Sequence, residues 1–195
     1  ESDAERYSEL DGWATPASAY LPHNFNLYVE HKQFADLAQK IVTGRRDKRL
    51  VPTFAFVDPF GWSGVPIELI ANLVRDRRSE LFILFSYNSV NRWITHHNNQ
   101  HHMRELFGCE DYLHADGLGP KDRKAYLATL YENQLKRVGN FQHVSRFEMI
   151  EKNGKTSYFV YHCTGSIKGL EVMRSAMWKI DPNTGSQFSD KVAGL

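Results

Sequence analysis

The sequence predicts an α/β domain, and three observations predict it. Short apolar runs alternate with helix-period stretches between Phe25 and Phe85. Two β-rich runs then flank an Asn153-Gly154 pair, and an amphipathic segment carrying Leu170, Met173, Met177 and Trp178 follows. Alternation of strands and helices favours a sheet with helices packed on it, whose ligands sit at the carboxyl ends of the strands.

The elements follow in order. Residues 25–30, Phe-Asn-Leu-Tyr-Val-Glu, read as a short strand ending on an acid. Phe34, Leu37, Ala38 and Ile41 recur at near-helical spacing, and Gly44 with the charges Arg45 to Arg49 closes that helix. The run Val51 to Val57 is almost wholly apolar, as in a parallel strand buried on both faces. It stops at Asp58-Pro59-Phe60-Gly61, and Pro66 opens a helix carrying Ile67, Leu69, Ile70, Leu73 and Val74. Leu81 to Phe85 is a third buried strand. From Asn91 to Gly139 the pattern is helical and polar, broken by the loop 116–120. Val144 to Ile150 and Thr156 to Cys163 form a hairpin, because Asn153 and Gly154 both tolerate positive φ. Asp181-Pro182 ends the last helix. A sheet with an antiparallel hairpin near its C-terminal end is the pattern of a Rossmann-like fold of the methyltransferase type.

Composition sets the outer bounds. The 195 residues suit one domain, residues 1–195, with 42% hydrophobic and 24% charged content. Lys and Arg number 24 against 23 Asp and Glu, so total charge does not announce a nucleic-acid binder, although a local basic patch would still steer a polyanion. Cys109 and Cys163 are too few for a disulfide scaffold and suit burial in a reducing cytoplasm. No apolar run approaches the about 20 residues of a membrane span, and the expectation is a cytoplasmic protein without membrane association.

Several phrases together resemble the three-Cys-motif partner protein family, a methyltransferase-like group: residues 26–30, residues 56–66, Tyr87 to Arg92, Gly169 to Met173, and Ala176 to Pro182. The likeness runs from about Phe25 onward. It implies a Rossmann-like fold, S-adenosylmethionine as cofactor and a partner protein bearing a three-cysteine motif. The family has a glycine-rich cofactor loop after its first strand. Here Leu10-Asp11-Gly12-Trp13-Ala14 looks like the start of that loop and Thr15 to Ala19 like a later helix start, with the glycines between them absent. Either the loop is deleted or a segment near residues 10–20 is omitted, the latter being favoured; alternatively Tyr7 to Trp13 matches a helix upstream of the loop.

The candidate site follows from strand-end positions. Glu30 and Asp58 are cofactor-binding candidates, since a carboxylate closing a strand can accept both ribose hydroxyls; the resemblance adds Asp11 and Gly12, as the start of the cofactor loop. Asp58, Pro59, Phe60 and Trp62 are the catalytic candidates. An Asp oxygen and a neighbouring carbonyl can hold the two hydrogens of a base amine while an aromatic ring stacks on the flipped base. The family of amino-methyltransferases usually carries a second proline where Phe60 stands, and the bland alternative is a turn in which Asp58 caps the next helix. Asn88, Asn91 and Arg92 follow the third strand and are the substrate-binding candidates. His96, His97, His101 and His102 read as a solvated segment, and no metal is expected. The leading function is methyl transfer to a nucleic-acid base amine. Its alternatives are a non-catalytic binding module working with the three-cysteine partner, and a metal-dependent nuclease using Asp58, Glu68 and Glu30.

Overall fold

The computed structural model describes residues 1–44, 51–59 and 61–190. The chain divides into two compact units, Glu1–Gly44 and Arg45–Leu195.

The first unit contains helix α1 (Ala4–Ser18) and helix α2 (Phe34–Thr43). Asp3 caps α1 by accepting a hydrogen bond from the Arg6 amide at 2.9 Å, and Glu5 complements the helix dipole in the first turn. The helix runs through Gly12 and reaches Pro16, so residues 10–14 are not a loop and no helix starts at Thr15. Tyr7 to Trp13 lie within this helix. Residues 25–30 differ from the expected strand: they form no strand, and Phe25 and Tyr28 are exposed. A strand requires a ladder partner for its amides, and these residues have none among the described residues. The second helix agrees with its apolar spacing, with Ala38 buried and Gly44 at its end. The expected basic turn, Arg45 to Arg49, lies outside the described residues.

The second unit is built on strands β1 (Phe54–Val57), β2 (Glu80–Phe85), β3 (His143–Ile150), β4 (Thr156–Thr164) and β5 (Gln187–Ser189). Its helices are α3 (Ile67–Leu73), α4 (Tyr87–Trp93), α5 (Gln100–Phe107), α6 (Pro120–Gly139) and α7 (Ile167–Ile180). The sheet order is β1-β2-β4-β3-β5. β1 pairs with β2, and β3 with β5, in parallel, while β4 is antiparallel to both its neighbours. The α/β class therefore holds, with a mixed five-stranded sheet.

The hairpin β3–β4 closes where Asn153-Gly154 predicts. Gly154 takes φ +79°, and Asn153 Oδ1 accepts from the Lys155 amide at 2.8 Å. Period-two burial sorts the sheet's two faces. Leu81, Ile83, Phe85, Tyr161 and Cys163 enter the larger core with Ile67, Ile70, Phe107, Leu127 and Tyr131. Phe147, Val160, Phe82 and Leu84 turn the other way, toward Met173 and Met177 of α7. Burial pushes the Cys163 thiol far up from its ordinary pKa, as an inert core position requires. Cys109 is only half-buried, and its sulfur accepts from Gln134 Nε2 at 3.3 Å.

Two burial expectations need correction. β1 is not covered on both faces: Phe54 and Phe56 are 63% and 61% exposed, because α7 covers the β3–β4 side of that face. Phe56 stacks on Phe82, with centroids 5.5 Å apart. Trp178 does not pack α7 onto the sheet either. It is half-exposed and lies over Gly185, where an added Cβ would come within 2.8 Å of the indole.

Candidate functional site

The parallel register of β1 and β2 aligns Val57 with Ile83, so the chain leaves both strands at the same end of the sheet. Asp58-Pro59 follows β1 there, and Ser86 with α4 follows β2. This is the carboxyl-end rim at which α/β sheets bind ligands.

Asp58 is exposed and Pro59 half-buried, while Phe60 lies outside the described residues. The chain then turns through Gly61 and Gly64, whose φ values of +99° and +78° a side chain would strain. Between them Trp62 is half-buried, packs against the larger core, and meets His102 edge-on with ring centroids 5.9 Å apart. Asp58 is not a helix cap, because α3 has Pro66 at its N-cap and no side-chain capping bond.

On α4, Asn88 is exposed in the first turn, and Arg92 is exposed in the last. Asn91 is half-buried, and its Oδ1 is shielded from solvent with no hydrogen-bond partner among the described residues. A shielded acceptor left unpaired costs about 1–3 kcal/mol, so this atom calls for an occupant or a reason. Tyr87 packs edge-on against Phe159 at 5.9 Å, and its burial raises the phenol pKa. Farther along the rim, Glu148 of β3 accepts from Lys124 Nζ at 2.5 Å and from the Thr156 hydroxyl.

The other candidates belong to the N-terminal unit. Glu30 lines a hollow of about 300 Å³ with Leu10, Trp13, Tyr28 and Leu37, and its carboxylate lies 3.8 Å from Lys32 Nζ. An acid beside two exposed aromatic rings fits the ribose and adenine of S-adenosylmethionine. Asp11 and Gly12 do not fit the loop role. They sit within α1, and a Cβ on Gly12 would meet nothing within 4 Å, so no close backbone approach depends on that glycine.

A cleft of about 370 Å³ lies at the opposite end of the sheet, between the ends of α3 and α6 and the start of β2, lined in part by Arg75, Arg77, Asn140 and Gly165. None of the predicted site residues lines it. The shape of the molecule and the strand-end logic thus point to different ends. We favour the rim, because the cleft faces the carbonyl ends of two helices, which disfavour an anion, and its buried Asp76 is already held by Arg78 through two bonds of 3.1 Å.

Two side-chain groups were not foreseen. His101 Nε2 and His102 Nδ1 lie 3.2 and 3.3 Å from the two oxygens of Glu105. The spacing His-His-x-x-Glu was legible on a helix, where residues three and four apart share a face. Glu80, His162 and Thr164 also converge: His162 Nε2 is 3.2 Å from Glu80 Oε2, and Thr164 donates to Glu80 Oε1 at 2.9 Å. No local signal links residues more than 80 positions apart. Glu68, a nuclease candidate, is exposed in the first turn of α3, and the metal-competent group among the described residues contains neither it nor Asp58 nor Glu30.

No protein-family model matches the chain, and it has no significant match among curated proteins or solved structures. No helix among the described residues is long and apolar enough to cross a membrane.

Proposed function

We propose that this chain is a methyltransferase-like protein that uses S-adenosylmethionine and acts on a base amine of nucleic acid. The observation that carries the reading is Asp58: an exposed carboxylate at the carboxyl end of β1, beside β2 in parallel, that caps no helix. When bound, the cofactor supplies an activated methyl group. Asp58 accepts a hydrogen bond from the amine and turns its lone pair outward, and Trp62 offers a ring for the base. Asn88 and Arg92 contact the polynucleotide. The resemblance to the three-Cys-motif partner protein family adds a protein partner carrying that motif.

A second reading is a binding module that associates with the same partner and performs no chemistry. The continuity of α1 through Asp11 and Gly12 favours it, since the methyl donor's carboxylate needs a backbone cradle that a helix interior does not offer. Calorimetric titration of the full chain with S-adenosylmethionine separates the two. The first reading expects saturable binding. Absence of binding leaves the module.

A further inference from the structure

Helix α5 turns Met103, Leu106 and Phe107 into the core, all nearly inaccessible to solvent. The opposite face carries His101, His102 and Glu105, which are exposed or half-exposed. One ligand atom from each residue lies within 4.8 Å of the others. Because each imidazole approaches a different oxygen, the Glu105 carboxylate is the hub of the group.

We propose that this face of α5 binds a divalent transition-metal ion of the zinc class through His101, His102 and Glu105. Each imidazole nitrogen lies 3.2 or 3.3 Å from its own Glu105 oxygen, and the three ligand atoms lie within 4.8 Å of one another, so side-chain rotation brings them to the edges of about 3.3 Å of a tetrahedron whose metal–ligand bonds are about 2.0–2.1 Å. Imidazole with one carboxylate is a donor set that zinc accepts, and three protein ligands leave a coordination position for water or another ligand. The ligands are held by their setting. The buried face of α5 fixes the helix, and the edge contact with Trp62 restrains the His102 ring. On binding, the ion takes the place of the imidazole hydrogens that now face the carboxylate, and each ring presents a nitrogen lone pair instead. The competing account is a surface pair of histidine–carboxylate hydrogen bonds with no ion.

This proposal is independent of the methyl-transfer reading. Its test uses the full chain without a polyhistidine tag, titrated with Zn²⁺ by calorimetry and with Co²⁺ by visible absorption. One-to-one binding at micromolar metal, with the strong visible bands of a tetrahedral cobalt site, is expected. His101→Gln, His102→Gln and Glu105→Gln should each weaken Zn²⁺ binding at least about tenfold, whereas the double variant His96→Gln/His97→Gln should not. Circular dichroism of each variant checks folding, which these solvent-facing positions should preserve. Failure to bind Zn²⁺ at micromolar concentration, or binding unaffected by Glu105→Gln, would overturn the proposal.

Discussion

Gly169 in the first turn of α7 lies directly against the Glu80 carboxylate at the start of β2. A Cβ built on Gly169 would overlap Glu80 Oε1 and come within 2.8 Å of Thr164 Oγ1. Glu80 can yield only by giving up its contacts with His162 and Thr164, which engage its two oxygens. His162 itself is 1% exposed. The helix therefore docks on the sheet through a polar cluster that only a missing side chain accommodates.

Gly169→Ala should destabilise the chain by about 1–3 kcal/mol, the range for forcing an atom into a packed contact. Urea unfolding measures this. Gly169→Ala combined with Glu80→Ala should be less destabilising than the sum of the two single variants, since the clash and its partner disappear together. Additive losses would show that the overlap is relieved elsewhere.

Asp181 organises the turn after α7. Its carboxylate accepts from the Thr184 hydroxyl and from the amides of Ser186 and Gln187 at 3.1 and 3.2 Å. These bonds, the Thr184 hydroxyl foremost, hold its pKa well below the ordinary 3.8. The sign follows: the unfolded chain takes up the proton first, so the stabilisation is complete above the ordinary carboxylate pKa and is lost as pH falls below it. Thermal melts of the native chain and Asp181→Asn should differ at pH 7 and converge at strongly acid pH. A constant difference across that window would remove Asp181 as its source.

Two rim positions separate function from fold. Asp58 is exposed and caps no helix, so Asp58→Ala should change stability by no more than about 0.5 kcal/mol, while under the proposed function it should abolish methyl transfer. Asn91 has a shielded Oδ1 with no partner among the described residues, so Asn91→Leu should be neutral or stabilising by about 1 kcal/mol. If Asn91→Leu instead costs stability, the amide serves the fold. Parallel melts and activity assays on the two variants decide both points.

The parts of this protein that were legible in the sequence are those whose cause is local. Asn153-Gly154 specifies the hairpin turn because the turn's strain and bonding are settled within four residues. Pro66 and Asp181-Pro182 delimit helices because capping acts within one turn. The strand-end position of Asp58 and the face shared by His101, His102 and Glu105 follow from strand and helix periods alone. Tertiary structure decided what depends on partners far along the chain. Residues 25–30 have the composition of a strand and no ladder to join. Phe54 and Phe56 have the composition of a core and lie beyond the reach of α7. Glu80, His162 and Thr164 meet only because β2 and β4 pair in one register. Burial and pairing are set by which segments close upon one another, and that is a property of the whole chain rather than of any stretch of it.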